Sequence, residues 1–218
     1  MDFFFASFLS GILAFFSKGG IFMLFLLALS VCALTVIILR AIALRQADVL
    51  PEALCDEIER LGPGEGLEKL QALIPRYPSP LSRVLGTMIK HRTWPRSEVI
   101  EAVQTRARHE VAGMEKGLVI LEIATGVAPL LGLLGTLSGL VGIFASIGAD
   151  PVAVARGIAE ALNTTIVGLA VAVPCLIMCN YFQRRIEVMA VEMESLVADL
   201  IAKCYAPGTT PPVSQFSR

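Results

Sequence analysis

The chain has 218 residues, of which 55% are hydrophobic and only 17% charged, with a mean hydropathy of +0.71. A soluble domain carries nearer a quarter charged residues because its surface must stay hydrated, so a soluble globular protein is excluded. The formal charge of −1 excludes the broad basic field of a nucleic-acid binder. Residues 19–39, 123–149 and 161–183 contain no Asp, Glu, Lys or Arg at all. At about 1.5 Å per residue, each is long enough as a helix to cross a hydrocarbon core of roughly 30 Å. The expected fold class is all-α with three transmembrane helices.

Residues 1–18 come first. Ser7, Ser10, Gly11, Ala14, Ser17 and Lys18 fall at helical spacing on one side, and Phe4, Phe5, Phe8, Ile12, Phe15 and Phe16 cover most of the rest. That pattern predicts an amphipathic helix lying in the membrane interface. Asp2 stands where a cleaved leader would carry basic residues, and no small-x-small cleavage site follows. The first span follows over 19–39.

Basic residues set the expected topology. Segment 40–122 holds twelve Lys and Arg and the tail beyond 183 holds four, against Lys18 and Arg156 elsewhere. The excess marks the cytoplasmic side, so the N-terminus is expected outside and both basic segments inside. The segment 40–122 also carries twelve acidic residues, which makes it a mixed-charge domain and not a polybasic lipid binder.

Within residues 40–96, Gly62-Pro63-Gly64, Pro75, Pro78 and Pro80 leave room for short helices near 51–61, 65–74 and 80–92. The glycine cluster is not followed by the Gly-Lys-Ser/Thr of a phosphate loop. His91 and His109 have no ligand cluster beside them. Pro95 and Ser97 then open a helix expected to run unbroken over 97–149, including the second span at 123–149. Its apolar positions Ile100, Val103, Ala107, Val111, Met114, Leu118 and Leu121 step by three or four. Residues 150–206 are expected to form the third span (161–183) and a helix with a stripe at Ile186, Met189, Met193, Leu196 and Leu200. Residues 207–218 read as a disordered tail. Five cysteines, three of them inside spans, offer no disulfide framework, and Cys175 with Cys179 reads as packing. No metal or cofactor is expected.

The second span carries a seam of small residues: Thr125, Ala128, Gly132, Gly135, Gly139, Gly142, Ser146 and Ala149, spaced 3-4-3-4-3-4-3. In lipid, small side chains let helix backbones approach closely, so this span should lie against other helices. Thr136 flanks the seam. In the third span, Gly157, Ala161, Thr164, Thr165, Gly168, Ala172, Cys175 and Cys179 gather on one face, with Glu160 at its edge. A charge at membrane depth costs roughly 2.5–3.5 kcal/mol on insertion scales. Glu160 is therefore either a salt bridge to Arg156 at the water boundary or the mouth of an ion path. Thr164 and Thr165 either bond back to the i−4 carbonyl or serve that path.

The run Ala128-Pro129-Leu130-Leu131-Gly132-Leu133-Leu134-Gly135-Thr136, with Ser138-Gly139 after it, resembles the second-span motif of the MotA/TolQ/ExbB proton-channel family, ExbB/TolQ branch. Gly157-Ile158-Ala159-Glu160-Ala161-Leu162, then Thr165-Ile166-Val167-Gly168-Leu169, Pro174 and Asn180-Tyr181-Phe182, is similar to its third-span motif. The resemblance implies a pentameric homo-oligomer around two helices of a one-span ExbD/TolR-like partner that brings the protonatable aspartate. It also implies a TonB/TolA-like protein spanning the periplasm, and a bacterial inner-membrane location. Thr136 and Thr165 match the family's pore-lining threonines, and Glu160 matches its third-span glutamate. Asn163 and Thr164 stand where the relatives usually have apolar residues, which bears on whether the ion is H⁺ or Na⁺.

The expected function is thus the proton-channel subunit of a motor that energises a periplasmic or outer-membrane process. A sodium-driven stator of the same family is one alternative, and a passive membrane scaffold is another. An enzyme is not expected, because no His or Asp lies in any span to serve intramembrane proteolysis. The expected ion pathway comprises Thr136, Thr165, Glu160 and Thr164, and the packing seam comprises Gly132, Gly135, Gly139 and Gly142.

Overall fold

Uncharged runs that cannot satisfy their backbone groups in lipid must do so internally, and the helix is the element that does it within one segment. A computed structural model describes residues 20–63, 66–144 and 151–205. The helices are α1 Gly20–Ala43, α2 Gln46–Val49, α3 Glu52–Arg60, α4 Glu68–Leu73, α5 Pro80–Lys90, α6 Arg96–Glu115, α7 Leu118–Phe144 and α8 Pro151–Cys204, with a 3₁₀ turn at Ile74–Arg76. No strand occurs among the described residues. Three helices are long and apolar enough to cross a membrane, at Ile21–Ala43, Leu118–Phe144 and Val154–Cys204. The fold is all-α with three membrane-spanning helices. The expected interfacial helix at 1–18, the seam positions Ser146 and Ala149, and the tail at 207–218 lie outside the described residues.

The chain forms two compact units: Met1–Arg40 with Gly117–Tyr181, and Ala41–Lys116 with Phe182–Arg218. In the first, α1 buries Met23, Leu26 and Ala33 while Ile21, Leu24, Phe25 and Val31 stay exposed. Leu26, Ala128 and Ala172 form the centre, packed by Leu29, Leu131, Val167 and Val171. The helices approach closely because the residues between them are small. A Cβ on Gly132 would lie 3.0 Å from the Thr164 carbonyl oxygen, and one on Gly168 would lie 2.6 Å from that of Ala128. On Gly139 it would meet the Ala161 Cβ at 2.8 Å. Pro129 and Pro174 sit inside helices, which membrane helices tolerate where neighbours cover the freed backbone. Cys175 and Cys179 belong to the buried stripe of α8.

In the second unit, α5 starts on a reciprocal cap. The Ser82 amide donates to Ser79 Oγ at 3.1 Å, and the Ser79 amide donates to Ser82 Oγ at 2.9 Å. Pro80 occupies the first turn, where its missing N–H costs nothing. Leu81, Val84, Leu85 and Met88 of α5, Val99, Val103 and Ala107 of α6, and Ile186, Met189 and Met193 of α8 are buried. Further along α8 the buried position is Val197, not Leu196. A straight α-helix drifts about 20° per heptad against a strict seven-residue repeat, and one four-residue step takes up the drift. Glu110 is also buried, its carboxylate accepting from Arg83 Nη2 at 2.6 Å and pairing with Arg106 at 2.7 Å. The bond to Glu110 raises the pKa of Arg83 above its usual value. Lys203 Nζ donates to the carbonyls of Ile58 and Glu59 at 2.8 and 3.2 Å, covering carbonyls that the end of α3 leaves open.

The single helix expected over 97–149 is instead two. It stops at Glu115 and restarts at Leu118, because Gly117 takes φ +88°. That left-handed conformation suits glycine and is the usual residue after a helix C-cap, the cap here being Lys116. A side chain on Gly117 would also press on Arg40, whose Nε lies 3.2 Å from the Cβ position.

Candidate functional site

Thr136 lies one turn after Gly132 on α7, and Thr165 one turn after Ala161 on α8, where glycine brings the two backbones together. The two hydroxyls are hydrogen-bonded to each other. Each also reaches a carbonyl across the helix pair. Thr136 Oγ1 lies 3.0 Å from the Ala161 carbonyl oxygen, and Thr165 Oγ1 lies 3.2 Å from that of Gly132. Thr136 also has its own i−4 carbonyl, Gly132, at 3.1 Å. Each threonine therefore contacts the carbonyl one turn before the other threonine.

Two hydroxyl protons are shared among four oxygens. Thr136 can donate to Ala161 while accepting from Thr165, or donate to Thr165 while Thr165 donates to Gly132. These arrangements interconvert by rotating two hydroxyls, with no change in backbone. A hydroxyl both donates and accepts, so the pair can meet either protonation state of a carboxyl group. Thr136 is 7% exposed, and Thr165 is half-buried.

Thr164, at 2% exposure, turns its methyl toward Gly135, where a Cβ would collide with it. Its contact is packing, and no hydroxyl bond joins it to the Thr136–Thr165 cluster. Glu160 is half-buried and Arg156 exposed. The i,i+4 ion pair between them, one of the two alternatives for Glu160, does not form. Glu160 precedes Thr165 by five residues, a rotation of about 140° about the helix axis. Gly132, Gly135 and Gly139 meet α8 closely, whereas a Cβ on Gly142 would have nothing within 4 Å among the described residues.

Sequence reasoning missed Glu110 as a buried charge. Its one signal is Arg106 at i−4, a spacing equally typical of exposed pairs. It also missed Gly117 as a break, although a lysine followed by glycine is a recognised helix stop.

These features define an all-α integral membrane protein whose second and third spans join through glycines around a threonine pair. Residues 77–195 match the model of the MotA/TolQ/ExbB proton channel family. The chain belongs to that family. It is 32% identical over 185 residues to a protein of Methanothermobacter thermautotrophicus named as a biopolymer transport protein ExbB homolog, covering 83% of this chain and 66% of that one. It is 32% identical over 171 residues to an ExbB-like biopolymer transport protein of Synechocystis, covering 72% and 65%. These two matches span just under two thirds of the relatives' own length. With the biopolymer transport protein ExbB of Neisseria meningitidis serogroup A it shares 27% identity over 200 residues, covering 83% and 89%.

Proposed function

We propose that the chain is the proton-channel subunit of a bacterial inner-membrane motor. A pentamer of it would enclose the helices of a one-span ExbD/TolR-like partner, within membrane lipid, and pass work through a TonB/TolA-like protein to a periplasmic or outer-membrane process. The N-terminus is outside and the C-terminus inside, as the basic residues indicate. One charge crossing 100 mV releases about 2.3 kcal/mol, enough to reorder a few hydrogen bonds per step.

The observation that carries this reading is the crossed Thr136–Thr165 pair. It is a polar cluster in a unit whose other described buried residues, Thr164 aside, are apolar or glycine. In this reading the partner's carboxyl group pairs with a threonine when neutral and leaves when ionised. Thr164 holds the helices together beside it.

The test is proton uptake by proteoliposomes containing the subunit and its co-purified partner. Wild type should take up protons when a potential is applied, and the Thr136→Val/Thr165→Val variant should not. Uptake driven equally well by the double variant would defeat the assignment. Transport that follows sodium and ignores pH would replace the proton by Na⁺, and no transport by wild type would leave a scaffold.

A further inference from the structure

We propose that Arg156 and Glu160 form salt bridges between copies of this chain, Arg156 of one copy pairing with Glu160 of the next around the oligomer. The proposal rests on the homo-oligomeric reading above.

Depth is the first ground. Ala161 packs at the level of Gly139, and Gly157 at the level of Ile143, whose Cδ1 lies 2.9 Å from the glycine's Cβ position. Glu160 and Arg156, one residue before each, therefore stand near those levels. Glu122 is the last charged residue before the uncharged run of α7. Gly139 lies about 25 Å beyond it along the helix and Ile143 about 31 Å, against a hydrocarbon core of roughly 30 Å. The carboxylate thus stands inside the core and the guanidinium at its edge. Such charges need partners.

Neither finds one among the described residues. Among the described residues, Arg156 and Glu160 make no ion pair with each other or with any other group. Helical side chains lean toward the helix N-terminus, so Arg156 leans away from Glu160. Arg before Glu at i,i+4 is accordingly the weaker order.

Charge complementarity identifies the occupant. Arg156, Glu160 and half-buried Asn163 lie on one stripe of α8, within about 60° of each other. That stripe carries both signs one turn apart. Arg156 of one copy stands about 6 Å along the axis, four helical rises, from the Glu160 level of the next, a step that the long arginine side chain spans. Copies at equal height then present an arginine opposite a glutamate with no foreign residue needed. An interhelical distance of about 8–10 Å suits the combined reach of the two side chains. The Asn163 amide can donate to the remaining carboxylate lone pairs. A lipid phosphate could serve Arg156 but would repel Glu160.

The experiment uses two full-length variants, R156E and E160R, each co-produced with the partner, purified in mild detergent and weighed by native mass spectrometry. Expressed alone, each should lower the oligomer fraction about tenfold, since one carries two acids on the stripe and the other two bases. Expressed together under different tags, they should recover most of the oligomer, bearing both tags, since a mixed ring of five can relieve four of its five interfaces. R156Q and E160Q expressed together regain the pair at alternate interfaces only and should recover less. Circular dichroism on each variant confirms that the helices persist. Single variants assembling like wild type would overturn the proposal. So would failure of the mixed expression, whether or not R156E/E160R within one chain recovers assembly. A wild-type monomer would overturn the homo-oligomer reading and this pairing with it, whereas lost conduction in an intact oligomer would count against the pore alone.

Discussion

The methyl group of Thr164 occupies the place where Gly135 would carry a side chain, with the Thr164 Cβ 3.1 Å and the Phe22 Cβ 3.3 Å from the Cβ position. Three helices therefore meet at one missing methyl. Gly135→Ala should destabilise the unit by about 1–3 kcal/mol, the usual cost of overpacking. Thr164→Ser removes the opposing methyl and should recover a large part of that loss. A double-mutant cycle by thermal unfolding in detergent would give a coupling of about 1 kcal/mol. Gly126→Ala, with nothing within 4 Å, and Leu137→Ala, at a half-exposed position, should show none.

Thr136→Val and Thr165→Val keep shape and remove the hydroxyl. The Gly132 and Ala161 carbonyls retain their helical amide donors, so folding should hold within about 1 kcal/mol, the net worth of one hydrogen bond. Proton uptake should fall at least tenfold in either single variant. Serine at either position should keep part of it, because the crossed carbonyl contacts need only the hydroxyl. Equal uptake by valine and serine variants would mean that the hydroxyls do not act on the ion.

Much of this arrangement was legible in the sequence, and the reasons differ from residue to residue. Gly132, Gly135 and Gly139 announce a close helix contact because lipid offers few other uses for a small-residue stripe. Uncharged length alone located the three spans. Which helix the seam meets was not legible, since glycine spacing says how near a neighbour comes and not which neighbour it is. The crossed threonine contacts depend on the axial offset between α7 and α8, a tertiary quantity absent from either segment. Glu110 was missed because burial of a carboxylate depends on Arg83, which comes from a different helix.

Glu110 holds two guanidinium groups, so its loss should cost more than the loss of either. Glu110→Ala leaves Arg83 and Arg106 facing each other without an anion, and the Arg106 Nε is already buried with no partner. Arg83→Ala leaves Glu110 bonded to Arg106. The expected loss for Glu110→Ala is about 2 kcal/mol, in the range of a hydrogen bond to a charged group, reduced by salt because both arginines are partly exposed. Arg83→Ala should cost less than half of that. Chemical denaturation of the detergent-solubilised protein measures both.

Gly117→Ala forces an L side chain into φ +88° and against Arg40. A destabilisation of about 1–2 kcal/mol is expected from the left-handed backbone alone. Gly117→Asn should cost less, since asparagine tolerates that region better. If alanine were neutral, the left-handed conformation at Gly117 would not be fixed in the native state.

The Cys55 thiol has its pKa raised by burial and then by the nearby charges of Glu192, Glu59 and Asp56. A raised folded pKa favours the neutral thiol, so this contribution to stability is present below the unfolded pKa and lost as pH climbs through the folded value. Maleimide labelling of Cys55 should accordingly lag that of an unfolded control at neutral pH and catch up only in alkaline buffer. Glu192→Gln should speed it at fixed pH. No change on that substitution would show that burial alone protects the sulfur.

The Gly132 carbonyl accepts from a helical amide and lies within hydrogen-bond distance of hydroxyls on two helices, and the Ala161 carbonyl within that of one, the hydroxyl protons being shared among them. Extra donors polarise a carbonyl bond, which lowers its stretching frequency. A ¹³C=¹⁸O label at Gly132 or Ala161 would therefore absorb below the same label at an ordinary position in the span, and valine at Thr136 would shift the Ala161 band upward. Any motion that separates the hydroxyls during ion passage would appear as a transient rise of these bands, giving the channel an optical reporter inside its own backbone.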